Sequence, residues 1–181
     1  MGDAKIVDGK LDVNATISGS AANATGWAYA RGYTGPTIRT KTLISWVSLD
    51  NINVRSGSAL TIDNLNSDNF DAIIYAELVP NRWMAGSSNL GRTQNVVQVN
   101  ETQQNKIIQM AISYKDLGSN NTEITICRDG VQIGKYTDNP MTQWVAGNVE
   151  VIFVKRHTFT GTSGPGASTP KSRRRASTAR R

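Results

Sequence analysis

Lys41-Thr-Leu-Ile-Ser-Trp46-Val-Ser-Leu49, Phe70-Asp-Ala-Ile-Ile-Tyr75-Ala-Glu77 and Asn81-Arg82-Trp83-Met84-Ala85-Gly86-Ser87 decide how this 181-residue chain folds. The first run is apolar on both faces, as a central strand packed on both sides requires. The second alternates more cleanly, and the third follows the turn-forming Pro80. Working outward, short apolar runs recur between polar turns. Residues 11–17 read as a first strand, 18–26 as a small-residue loop and 38–49 as one long strand. Residues 58–63 and 70–77 read as a hairpin around the polar loop 64–69. Residues 106–114 send Ile108, Met110, Ile112 and Tyr114 to one face, and Ile124 and Ile126 repeat the pattern in 122–128. Asp129-Gly130 is a two-residue turn signal, Val131 and Ile133 return from it, and 149–154 form one more strand. No window of roughly 11 to 18 residues shows the three-and-four apolar spacing of a helix. Many short strands with turns between them predict an all-β, two-sheet antiparallel sandwich of the jelly-roll type over residues 10–157. Its core is expected to hold Trp46, Ile74, Met110, Ile112, Ile126 and Phe153.

Composition agrees with one domain: 38% hydrophobic residues in a chain of this length can bury a core. No run of roughly 18 apolar residues occurs, so membrane insertion is not expected. Residues 1–5 lack the apolar stretch of a secretory signal, and nothing in them would direct export. Of the 20 Lys and Arg, six lie beyond residue 160, where Asp and Glu are absent; the first 160 residues carry 14 basic and 14 acidic side chains. The net charge of +6 therefore belongs to the tail, and specific nucleic-acid binding by the folded body is not expected. Cys127 is the single cysteine, read as a small buried hydrophobe in a strand rather than a disulfide partner. Residues 161–181 contain no aromatic residue and no Leu, Ile, Val or Met, so they are expected to form a disordered basic tail.

The runs quoted above, with Asp50, Arg55, Phe70-Asp71-Ala72, Arg82-Trp83-Met84-Ala85-Gly86-Ser87 and Arg92-Thr93, resemble the LamG-like jelly-roll modules of the concanavalin A-like lectin/glucanase superfamily. The resemblance is closest to the planctomycete-type version found in large proteins with cytochrome-like domains. It implies a recognition role, an extracytoplasmic or cell-surface setting, and neighbouring domains as partners. Members continue past an Arg-His pair, matched here by Arg156-His157, into a closing strand that returns to the N-terminal region. This tail has no such apolar strand, so the sandwich is expected to lack its last strand. In a shifted frame, the codons from 171 to 178 would permit the Ile, Arg, Leu and Tyr of that strand, which suggests an out-of-frame tail, with a genuine flexible basic linker as the alternative.

Candidate chemistry is sparse. The glucanase branch needs two carboxylates flanking the sugar bond, and the nearest pair, Asp71 and Glu77, would lie roughly 20 Å apart along an extended strand. His157 is the single histidine, so a histidine-rich metal site is excluded, and a catalytic triad around it would lack a nucleophile elbow. Calcium is the ion that lectin relatives bring, with Asp63, Asn66 and Asp68 of the oxygen-rich hairpin loop as its ligands, although the loop is also what a turn demands. Trp83 and Trp144 sit near strand edges, where an indole can stack on a sugar face. Arg82, Arg92, Arg55, Asp71 and His157 would supply polar contacts on the same side. The sequons at Asn14, Asn23, Asn100 and Asn120 and the basic Arg173-Arg-Arg-Ala-Ser177 are weak matches in a chain of this composition. The expected function is a non-catalytic recognition module for polysaccharide, a glycoprotein glycan or a neighbouring domain, using the concave sheet face and rim loops, with no cofactor required. A degenerate glycoside hydrolase and a structural spacer are the competing readings.

Overall fold

The computed structural model describes residues 4–12, 27–53, 57–158 and 174–177, the last four by their backbone. Twelve strands follow in order: β1 (Lys5–Val7), β2 (Lys10–Asp12), β3 (Ala28–Ala30), β4 (Lys41–Leu49), β5 (Ser58–Asn64), β6 (Phe70–Tyr75), β7 (Trp83–Ser87), β8 (Ile107–Gly118), β9 (Asn121–Arg128), β10 (Val131–Asp138), β11 (Val149–Phe153) and β12 (Arg174–Ser177). They pair antiparallel into a seven-stranded sheet, β1-β2-β12-β4-β8-β9-β10, and a five-stranded sheet, β3-β11-β5-β6-β7. A single 3-10 turn at Ser88–Leu90 is the one helical element among the described residues. Asp129-Gly130 turns β9 into β10 with both φ angles positive, as a tight hairpin requires, and Asp8-Gly9 does the same between β1 and β2.

Alternation places the core between the sheets. Leu43, Val47 and Leu49 of β4, the even positions Ile108 to Tyr114 of β8, and Ile124 and Ile126 of β9 meet Leu60, Ile62, Ile73, Tyr75, Trp83 and Ala85 of the facing sheet. The opposite face of the five-stranded sheet holds a second cluster, Phe70, Ala72, Ile74 and Met84. Gly86 belongs there because a Cβ at that position would run into the Ile74 side chain. At β6 and β7 the sheet is therefore buried on both faces, which explains the uninterrupted burial of these strands.

Met110, Ile112 and Ile126 occupy the core as expected, Phe153 packs against it half-buried, and Ile74 lies in the second cluster. Trp46 is the correction. It shares a face with the exposed Ile44, on the outer side of the seven-stranded sheet, while Leu43, Ser45 and Val47 point inward. A strand that is apolar on both faces does not reveal which face is inside, and a parity error moves every side chain across the sheet. Cys127 is likewise half-buried on β9. The long strand begins at Lys41; Ile38 contributes an isolated bridge to Trp144.

The expectation of a missing last strand is also corrected. Arg174–Ser177 pairs with β2 on one side and β4 on the other, with Arg175 opposite Asp12 and Ser48. Ladder bonds use backbone N–H and C=O groups, so a polar segment without apolar pattern can complete a sheet whose neighbours already supply the edges. The rest of the tail, and residues 13–26 of the expected first strand and loop, lie outside the described residues.

Candidate functional site

Trp83 and Trp144 do not form rim platforms; both are fully buried in the core. The irregular segment after β7 folds back over that strand. Glu101 accepts a hydrogen bond from Trp83 Nε1 at 2.9 Å and is itself clamped by Arg128 at 2.7 and 3.0 Å. Arg82 pins the same segment, donating to Asn100 Oδ1 at 2.7 Å and to the Val97 carbonyl at 3.0 Å. Trp144 is drawn inward by its two-way backbone bridge to Ile38, 2.9 Å in each direction. Arg92 and Asp71 pair with each other between the sheets, and Lys41 Nζ lies 2.7 Å from the other Asp71 oxygen. Arg55 lies outside the described residues. Glu77 falls beyond the end of β6 and pairs with Arg156 at 2.5 Å, so it shares no strand face with Asp71.

The proposed calcium ligands do not converge either. Because β5 continues to Asn64, Asp63 stands on a strand, with its oxygens taken by His157 Nδ1 at 2.6 Å and the Thr158 amide at 3.0 Å. The Asn66 side-chain amide donates to Asn148 at 2.8 Å, and the Asp68 carboxylate sits 3.7 Å from His157 Nε2. Among the described residues, no group of three or more His, Cys, Asp or Glu side chains is arranged to hold a metal ion.

A closer carboxylate pair lies where one-dimensional spacing could not show it. Asp63 of β5 and Glu150 of β11 are direct cross-strand partners on the outer face of the five-stranded sheet, and both are buried. Directly opposed strand positions bring side chains to roughly 5 Å. After Val154 the chain turns with φ +73° and runs back over this face. Thr61 Oγ1 donates to the Lys155 carbonyl at 3.2 Å, His157 packs against Phe70 with ring centroids 5.9 Å apart, and the Thr158 hydroxyl reaches Glu150. Arg31 Nε completes the set 2.6 Å from Glu150 Oε2, a bond that raises its already high pKa. Arg156 and His157 thus both end on carboxylates.

Beside this covered patch, the edge strand β3 carries a different surface. Tyr29, opposite Ile152 on the outer face, is 36% exposed, and Trp27 stacks on it with centroids 5.4 Å apart at 29°. The Arg31 guanidinium lies 4.5 Å from the Tyr29 ring centroid, and Lys155 Nζ lies 4.7 Å from that of Trp27. Two aromatic rings flanked by two cations line one edge of the sheet. The sequence gives little warning of it, because Trp27 follows a polar loop and β3 has only three residues.

No protein-family model matches the chain, and no curated protein matches it. Among solved structures, it is similar to the native heptameric SAP-like pentraxin from Limulus polyphemus, with 10% identity and a TM-score of 0.57. The match covers 83% of this chain and 66% of the pentraxin, just under two thirds of its length. The fold is a concanavalin A-like jelly roll. The galectin LEC-6 of Caenorhabditis elegans (13% identity, 94% and 96% coverage, TM-score 0.38) and Scytalido-glutamic peptidase bound to a peptide-based transition state analog (8%, 80% and 76%, 0.37) align less well.

Proposed function

We propose that this jelly roll is a non-catalytic recognition module that binds polysaccharide or a glycan through the β3 edge of the five-stranded sheet. The observation that carries the reading is the stacked, partly exposed Trp27–Tyr29 pair with Arg31 and Lys155 at its two ends. An aromatic ring offers its face or edge to sugar C–H groups, and flanking cations favour a chain bearing carboxylate or sulfate. Acidic polysaccharides are therefore the preferred class. Catalysis is disfavoured on this reading because Asp63 and Glu150, although close, are buried beneath residues 155–158 and already accept bonds from His157, Thr158 and Arg31. A general acid or nucleophile would need one of those oxygens to reach the sugar.

Affinity electrophoresis of the 181-residue chain through gels cast with neutral and uronate-bearing polysaccharides tests this. Retardation by the acidic polymers is expected, weakened about tenfold by Trp27→Ala. Release of reducing ends, abolished by Asp63→Asn or Glu150→Gln, would instead make the module an enzyme.

A second reading has an observation of its own. Ile44 is 46% exposed beside the half-buried Trp46 on the outer face of the seven-stranded sheet, a surface suited to a neighbouring domain.

A further inference from the structure

Two cations and one carboxylate are enclosed between the sheets at one end of the sandwich. Asp71 enters from β6, Lys41 from the start of β4, and Arg92 from the turn after β7, where Ser87 Oγ accepts its backbone N–H at 2.8 Å. All three side chains are at most 6% exposed. Tyr114, directly opposite Lys41 in the β4–β8 ladder, places its ring 4.3 Å from Lys41 Nζ, and the Trp144 ring lies 5.5 Å from the same nitrogen. The Arg92 guanidinium is 6.0 Å from the Tyr114 ring.

The donors here outnumber the acceptors. Lys41 Nζ and Asp71 Oδ2 meet as an ion pair without forming a hydrogen bond of good geometry, and Arg92 Nη1, the Tyr114 hydroxyl and Trp144 Nε1 are buried without a hydrogen-bond partner among the described residues. Asp71 can neutralise one cation, which leaves one positive charge in a medium where an uncompensated ion is costly. Burial holds the Lys41 ammonium below the usual lysine range in spite of Asp71, and the Arg92 charge pushes the same way. The ring faces of Tyr114 and Trp144 offset part of this for Lys41. They leave the Arg92 N–H, the hydroxyl and the indole N–H unmatched.

We infer that the cluster of Lys41, Arg92, Tyr114 and Trp144 is an internal binding site for a small monoanion of halide size. One negative charge would balance the cluster and give its donors a common acceptor. The site lies between the sheets, away from the β3 edge, and does not depend on the glycan reading.

Thermal unfolding of the full chain, followed by circular dichroism at constant ionic strength, tests the inference as gluconate is exchanged for chloride or bromide. Fixed ionic strength removes general screening, and gluconate is too large to be enclosed. A saturable rise in midpoint of about 5 °C is expected with either halide. Arg92→Gln removes the excess charge and abolishes the rise. Tyr114→Phe keeps the ring and its packing while removing one donor, and is expected to weaken the halide affinity severalfold even if Arg92→Gln does not fold. Crystals grown in bromide locate the ion by its anomalous signal within 4 Å of Lys41 and Arg92. A halide-independent midpoint, or bromide found only on the outer surface, would overturn the assignment and leave water as the partner of these donors.

Discussion

On the inner face of the five-stranded sheet, Asp71 meets Lys41 and Arg92, two cations for one carboxylate. On the outer face, Asp63 and Glu150 stand side by side and are met by His157, Arg31 and two groups of Thr158. The inner group joins the two sheets across the core, so its members are held by packing on every side. The outer group fastens the segment after β11 onto the sheet, and its edge passes directly into the exposed Trp27–Tyr29 strip. The contrast shows where a ligand can be met without unfolding anything. The inner cluster admits at most a small ion, whereas the outer patch borders solvent along β3.

The largest expected effect of breaking this comparison is at the inner cluster. Asp71→Asn leaves two buried cations without their carboxylate, and urea unfolding should show a loss of about 3–5 kcal/mol. On the outer side, Thr158→Val removes the hydroxyl bond to Glu150 while keeping side-chain volume and the backbone bond to Asp63, with an expected cost of about 1–3 kcal/mol. Equal losses at the two sites would remove the distinction between them.

Much of the fold was legible before any coordinates. The hairpin 58–75, the alternation of β8 and β9, and the Asp129-Gly130 turn rest on local rules that period and turn chemistry report directly. What failed had long-range causes. Trp83 faces the other sheet and is sealed by residues 93–101, which fold back on β7, and Trp144 is drawn in where its loop bridges to Ile38. Asp63 and Glu150 are 87 positions apart and meet only through the β5–β11 register. Trp46 shows the reverse limit, since apolarity on both faces of β4 left the direction of the core undetermined. β12 escaped notice because its pairing rests on backbone groups, to which an apolar pattern is blind.

A smaller effect sharpens the inner half of the comparison through pH. Burial raises Tyr136 above its ordinary value of 10.0, with Asp138 adding to the shift. The folded state therefore keeps a proton that the unfolded chain releases, so stability is intact below pH 10 and falls as the pH rises above it. Tyr136→Phe should cost about 1 kcal/mol at neutral pH through the lost bond to the Arg92 carbonyl. Its stability should then decline less steeply than that of the wild type in alkali, as measured by urea midpoints between neutral and alkaline pH. The smallest effect belongs to the half-buried Arg39–Asp116 surface pair, where Arg39→Ala should leave the midpoint unchanged within error at neutral pH.

Recognition at the β3 edge is tested most directly by tryptophan fluorescence. With Trp83 and Trp144 buried, Trp46→Phe leaves Trp27 as the indole that acrylamide can reach among the described tryptophans. Quenching is then followed as a uronate-bearing oligosaccharide is titrated in. If the Trp27–Tyr29 strip is the site, bound sugar shields Trp27 and the quenching constant falls to roughly half, saturably, with Tyr29→Ala abolishing the response. Quenching that stays constant up to millimolar oligosaccharide would contradict the account.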